Sequence, residues 1–361
     1  MLEYNHINEK IIDTHLHLEA WENEEFSDFT KCFEKHREIT GASAINICTV
    51  PTRQSNVCNN IMLAFYKLKN KNTFIHGGFE HIIRPVTENM PKGMDLVTQY
   101  RELMEIGFDG IKLIEGKPIC LKPLGNNLNH PAFDRLYSEM EKDGAHIVFH
   151  INDPHDCWDR EKTTQEFIDK GWFYGDGTYL TFEETYNQAI QLLENHPNLK
   201  ATLAHFFFCA DTPQRLEEIF KRYPNVCVDI TPGCEMYHSF ERNHDFYVEF
   251  FNKYSDRILV GTDGTFPWAT KCHTWCLNIL YEFIATDHKN MAFDDSILTG
   301  LNLQGEAKEN ILYKNYEKRV SKEPKEINTD ALLRYINKYR EFIKDSDYQR
   351  LLPLIEEIKE K

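Results

Sequence analysis

Two histidines, His15 and His17, stand two residues apart at the end of the apolar run IIDTHLHL. On an extended strand alternate side chains share a face, so both imidazoles point to the same side and can hold one cation. The spacing is weak evidence by itself, because 16 histidines in 361 residues produce about 0.7 such pairs by chance. Specificity has to come from other donors at matching places. His150 lies at the end of AHIVFHI, His205 near the end of LKATLAHF, and Asp263 closes RILVGTD. Four imidazoles and a carboxylate supply the donors of a catalytic zinc site, in which three or four protein ligands leave a position open for water.

The elements that must position these residues are eight short apolar runs. They cover Lys10–Leu16, Ala42–Val50, Thr73–Phe79, Gly110–Glu115, Ala145–Ile151, Leu199–Phe206, Asn225–Ile230 and Arg257–Asp263. Their continuous Ile, Val and Leu content suits strands buried on both faces, and the longer amphipathic segments between them complete a β-α repeat. Helix starts are marked by a capping box at Thr181–Glu184, by Thr212-Pro213 and by His130-Pro131, with Gly144 after the last turn of the third. Eight such units have the size of one α/β barrel, whose enzymes build their sites from the C-terminal ends of several strands. An open doubly wound sheet is the alternative, weakened by the lack of a Gly-rich dinucleotide or phosphate fingerprint after any run. Asn152–Thr181 is a long polar and aromatic loop of the kind that is usually functional. Residues 1–320 are expected to form the barrel. Residues 321–361, with two helical periods separated near Asp345–Asp347, are expected to form a C-terminal helical extension on the barrel or at an oligomer interface.

With 41 Lys+Arg against 57 Asp+Glu the net charge is −16, which argues against nucleic acid as a partner. The ten cysteines are scattered without a C-x-x-C pair and read as free thiols, several of them core residues. Cys272 and Cys276 are the closest pair and could form at most half of a metal site. The polar N-terminus and the absence of a stretch of about 20 apolar residues predict a cytoplasmic protein without membrane contact. His76, His146 and His196 read as satisfied core or surface histidines, and Cys48, Cys209 and Phe206–Phe208 as packing.

Taken in order, IIDTHLHL, HINDP, ENHPNLKATLAHF, KRYPNVCVDIT, FFNKYSDRILVGTD and GEAKENILYKNYEKRV resemble the amidohydrolase-related metal-dependent hydrolases over residues 10 to 320. The resemblance extends to the branch that includes aminocarboxymuconate-semialdehyde-decarboxylase-like enzymes. It implies a distorted TIM (β/α)8 barrel. It also implies that His15, His17, His150 and Asp263 hold a divalent metal, most often one Zn2+. His205 is implied as an electrophile, a proton shuttle or a ligand to a second metal. In binuclear relatives strand four carries a carboxylated Lys or a Glu. Here Lys112 shares the inward parity of Gly110 and Ile114, and its implied role is an unmodified substrate contact, with carboxylation as the alternative. Glu115 has the opposite parity and reads as a loop carboxylate unless the strand bulges.

On this reading Asp263 is both ligand and general base, transferring a proton from water to the leaving amine or alkoxide, while His205 hydrogen-bonds the substrate carbonyl or oxyanion. Arg84 and Arg160 could each clamp a substrate carboxylate, although a surface charge is the commoner role. Trp158, Trp172, Phe173, Tyr174 and Trp268 could wall a pocket for a small ring-bearing acid or ester. Hydrolysis of an amide, ester or lactone is the first reading, and non-oxidative decarboxylation on the same scaffold the second. A TatD-type nuclease and a non-catalytic metal-binding barrel rank below them. A small-molecule substrate and a homodimer are expected.

Overall fold

The computed structural model describes residues 6–18, 26–50, 56–80, 95–233, 236–266, 276–293 and 296–360. Every one of the eight apolar runs contains a strand: β1 (Ile12–Leu18), β2 (Ala44–Thr49), β3 (Thr73–Gly77), β4 (Gly110–Gly116), β5 (His146–Ile151), β6 (Lys200–Leu203), β7 (Val226–Asp229) and β8 (Ile258–Leu259). A ninth short strand, β9 (Gly264–Phe266), follows directly. The sheet order is β8-β7-β6-β5-β4-β3-β2-β1-β9, and all neighbours are parallel. The start of the eighth run pairs with β7, and β9, just past its end, pairs with β1; between them Thr14 N donates to Val260 O at 3.1 Å and Asp263 N to His15 O at 2.8 Å. These bonds close the sheet into a distorted barrel, and the open-sheet alternative falls.

Two runs end earlier than their apolar content suggests. Regular pairing in β8 stops at Leu259 and in β6 at Leu203, so Asp263 and His205 sit just past the strands. The backbone there has turned left-handed: Asp263 has φ 57°, and His205 to Phe208 have φ between 51° and 57°.

The barrel interior is layered. At its N-terminal end Ile12, Ala44, Phe74, Cys227 and Leu259 pack around Tyr316, which belongs to the helix Asn315–Arg319. Above them a polar layer runs across the barrel from Asn46 Oδ1 to His76 Nδ1 (2.8 Å), His76 Nε2 to His146 Nδ1 (2.9 Å) and His146 Nε2 to Thr202 Oγ1 (2.9 Å). His76 and His146 are therefore satisfied core histidines. Gly110 makes room for this layer, since a Cβ there would lie 2.3 Å from His76 Nε2. Ile12 faces the interior whereas Leu16 and Leu18, of the same parity, face the helices. An irregularity in β1 between Asp13 and Leu16 accounts for the switch and turns His15 and His17 inward.

Helices cover the sheet. The Thr181 capping box opens Phe182–Asn195 as its residues predict, and His130 caps Pro131–Asp143, which ends on Gly144 in the left-handed region. Thr212 precedes Pro213–Arg222 without a side-chain cap bond. The loop after β5 holds only a short 3-10 turn, His155–Trp158, and a short helix, Gln165–Asp169.

Residues beyond 320 form the helices Thr329–Lys338 and Asp345–Lys359, whose Leu332, Ile336, Leu351 and Ile355 join the main core. Cys48, Cys120 and Cys227 are free thiols; Cys234 and Cys272, and with the latter the Cys272/Cys276 spacing, lie outside the described residues. No helix among the described residues is long and apolar enough to cross a membrane.

One buried ion pair fastens the C-terminal segment. Lys67 Nζ meets Asp109 Oδ2 at 2.6 Å, both side chains being buried, while Asp109 Oδ1 accepts Lys325 N at 2.9 Å. Removing one partner of a buried pair leaves an uncompensated charge. Lys67→Met is therefore expected to lower unfolding stability by about 3–5 kcal/mol, measured by urea denaturation at pH 7.5; a loss below about 1 kcal/mol would contradict this account.

Candidate metal centre

The C-terminal rim brings His15, His17 and Asp263 together, with one potential ligand atom from each within 4.8 Å of the others. Hydrogen bonding explains why they converge as acceptors. His15 Nδ1 faces Asp229 Oδ2 at 2.9 Å, with Thr231 Oγ1 at 3.2 Å, and His17 Nδ1 faces Cys48 O at 3.4 Å. A carboxylate and a carbonyl can only accept, so each ring spends its proton on Nδ1 and presents an unprotonated Nε2. His17 Nε2 lies 2.9 Å from Asp263 Oδ1, and His15 Nε2 lies 3.9 Å from the same oxygen. Two lone pairs facing each other at 2.9 Å require a proton or a cation between them. The donor set of two imidazole nitrogens and a carboxylate oxygen fits a divalent metal.

His150 and His205 stand beside this group. The His205 ring centre is 5.8 Å from that of His15, and His150 is 4.9 Å from His205. Each again donates its outer proton: His205 Nδ1 to Thr231 O at 3.2 Å, and His150 Nε2 to Asp153 Oδ1 at 3.2 Å. All four rim histidines thus have an acceptor behind them, the arrangement that orients metal-ligating imidazoles. Of the four ligands the resemblance implies, three are within one ion's reach of each other, and His150 lies one ring further along the rim.

Lys112 faces inward as its parity predicts, with Nζ 2.9 Å from His15 Nε2. Burial lowers its pKa. Glu115 departs from its expected place: it lies within β4, buried, where the register shifts between Leu113 and Gly116, so the strand bulges instead of ending before it. Arg160 is exposed, its guanidinium 5.9 Å from the Phe173 ring. Arg84 and Trp268 lie outside the described residues. Phe206 and Phe207 pack as expected, against Phe240 and Tyr186 respectively. Phe208 also walls the site, 5.3 Å from His205 and 5.5 Å from His150.

Two aspartates that the motifs do not mark support the site. Asp229 ends β7 and, besides His15 Nδ1, binds His205 N (2.9 Å) and Thr231 N (3.2 Å). Asp13 accepts from Thr262 N (3.1 Å), Thr262 Oγ1 (2.7 Å), His36 Nε2 (3.0 Å) and His15 N (3.3 Å). Both interrupt apolar strand runs with a charge, and that was the available signal. Gly261 lets β1 approach, since a Cβ there would lie 2.7 Å from His15 Cβ.

Burial governs the site's electrostatics. It lowers His15 well below the ordinary imidazole range, helped by Lys112 and His17, and lowers His150 and His205 to about 4. For Asp263 burial pulls upward, but a proton shared with His17 Nε2, in the place a cation would take, and the surrounding imidazoles outweigh it and hold the carboxyl well below its usual range. Unfolded histidines protonate below about 6.5, whereas folded His150 and His205 do so only near 4. The unfolded state binds more protons across that window, so stability falls as pH drops from 6.5 toward 4. Urea midpoints of chelator-treated protein should decline between pH 7 and 5, and a flat profile would refute the neutral-histidine assignment. Asp229→Asn, which removes the charge behind His15, should weaken zinc affinity about 10–100-fold in a chelator competition titration; unchanged affinity would remove Asp229 from the site.

No protein-family model and no curated protein matches the chain. Solved structures do. The apo crystal structure of IDCase from Metarhizium anisopliae aligns with a TM-score of 0.52 at 12% identity, covering 87% of this chain and 97% of that one. A probable 2-pyrone-4,6-dicarboxylic acid hydrolase from Acinetobacter baumannii, with citric acid bound, aligns at 0.51 and 10% identity, covering 86% and 99%. Identities this low speak for architecture. Both share with this chain its distorted (β/α)8 barrel fold.

Proposed function

We propose that the chain is a metal-dependent hydrolase of the amidohydrolase superfamily. It would cleave a C–O or C–N bond, as in a lactone, ester or amide, of a small carboxylate- or ring-bearing substrate. The observation that carries this reading is the convergence of His15 Nε2, His17 Nε2 and Asp263 Oδ1 as three acceptors without protons of their own. His15, His17 and Asp263, with His150 beside them, would hold the ion, for which zinc suits the donor set. A divalent cation bound there supplies Lewis acidity, which acidifies water and polarises a carbonyl oxygen.

Each side chain then has a separate task. The Asp263 side chain is 34% exposed, against 0% for His15 and 7% for His17, so its carboxylate is the ligand that reaches the open side. It accepts the proton of the attacking water and returns it to the leaving alkoxide or amine. Lys112 Nζ, already donating into the site, is placed to hold a substrate oxygen as negative charge develops. His205 suits a different role from the oxyanion donor expected of it. Its proton is committed to Thr231 O and it stays neutral above about pH 4, so its Nε2 accepts, as a proton shuttle or a ligand.

The lactone hydrolase among the structural neighbours makes 2-pyrone-4,6-dicarboxylate and simple δ-lactones the first substrates to try, with N-acyl amino acids beside them. We expect zinc-loaded protein to open a lactone with one oxygen from labelled water in the new carboxylate. Asp263→Asn should lower the rate by about 10²–10⁴-fold, and His17→Ala should lower bound metal measured by mass spectrometry. Carbon dioxide release without incorporation of labelled water would overturn hydrolysis in favour of decarboxylation. Wild-type protein holding no stoichiometric divalent ion under any supply would overturn the metal centre itself.

A further inference from the structure

The long loop after β5 reaches the candidate metal centre through Asp153, a carboxylate that the proposed chemistry does not use. Asp153, three residues after His150, is buried. Its Oδ1 accepts from His150 Nε2 at 3.2 Å and from Lys117 Nζ at 2.6 Å, and its Oδ2 accepts the Tyr174 hydroxyl at 2.6 Å. Lys117, directly after β4, also sets its ammonium 4.3 Å from the Trp172 ring. Tyr174 and Trp172 both belong to the loop. The Tyr174 ring is held by Trp158 (5.0 Å) and Tyr179 (4.9 Å), and its N–H donates to Cys157 O at 2.8 Å. The hydroxyl that reaches Asp153 is therefore carried by the packed interior of the loop.

We infer that Asp153 and Tyr174 are positioning residues through which docking of the loop 152–181 and cation binding at the rim reinforce each other. The inference rests on the reading of His150 as a ligand. While Asp153 accepts the His150 Nε2 proton, Nδ1 remains a lone pair and the ring has a fixed orientation, as a ligand requires. When the loop lifts, Tyr174 leaves Oδ2, Lys117 loses the Trp172 ring, and water competes for Asp153. The ring then loses its orienting partner. Coupling of this kind is reciprocal, so a cation that favours the oriented ring must hold the loop down by the same factor.

The test follows backbone amide exchange over residues 152–181, and zinc affinity by chelator competition, in the full-length wild type, Tyr174→Phe, Asp153→Asn and His150→Ala. Zinc should slow exchange in the wild-type loop. Tyr174→Phe, which removes only the hydroxyl, should lower zinc affinity about fivefold or more, and Asp153→Asn about 10–100-fold. In the His150→Ala background Tyr174→Phe should cost no further affinity, because the pathway is already cut. Zinc binding with unchanged loop exchange, unchanged affinity in Tyr174→Phe, or an additive loss in the double variant would each overturn the inference while leaving the metal centre standing. Absence of zinc uptake by the wild type would instead overturn the proposed function beneath it.

Discussion

The candidate metal centre depends on β1 lying beside β9 and the end of the eighth run, because that contact brings His15 and His17 to Asp263. Asp13 secures it. One carboxylate inside the barrel wall accepts from the backbone and hydroxyl of Thr262 and from the His15 backbone, while His36 Nε2 on the covering helix Phe26–Thr40 donates to it from outside. A buried carboxylate is costly without such partners. With four donors around it, the charge becomes a joint between two strands that are about 250 residues apart in the chain.

The rim is also where the backbone departs from regular structure. Asn152, His205 to Phe208 and Asp263 all have positive φ, each lying just past a strand end at the rim. For residues with a Cβ this costs roughly 1–2 kcal/mol apiece, an expense that persists only where surroundings impose it. At His205 they do: its N–H is drawn to Asp229 and its ring to Thr231 O, and Phe206 and Phe207 are buried on either side of the turn. Strain and ligand placement are thus two aspects of one geometry.

Beneath the rim, the Asn46–His76–His146–Thr202 chain fills the middle of the barrel with satisfied polar groups, and the apolar layer around Tyr316 closes the far end. Burial pushes the pKa of both histidines down, which keeps the layer neutral below a site that has to manage charge. The interior is therefore graded from apolar to polar to ionisable toward the rim that carries His15, His17 and Asp263.

Much of this was legible in the residues. Apolar runs marked all eight strands, the Thr181 capping box and the His130-Pro131 start marked their helices, and His15, His17, His150, His205 and Asp263 could be placed at one rim from their positions at the ends of those runs. Such signals are local, and local patterns survive into the fold because side-chain alternation and helix capping act over a few residues. Tertiary structure decided what depends on pairs distant in the chain. It closed the sheet through β9, set the bulge that turned His15 inward and the one beside Glu115, and recruited Asp13, Asp229 and Asp153 as partners. It also fixed which nitrogen of each histidine carries the proton, because a tautomer is chosen by whatever acceptor the fold brings behind the ring, and the sequence alone does not say which residue that will be.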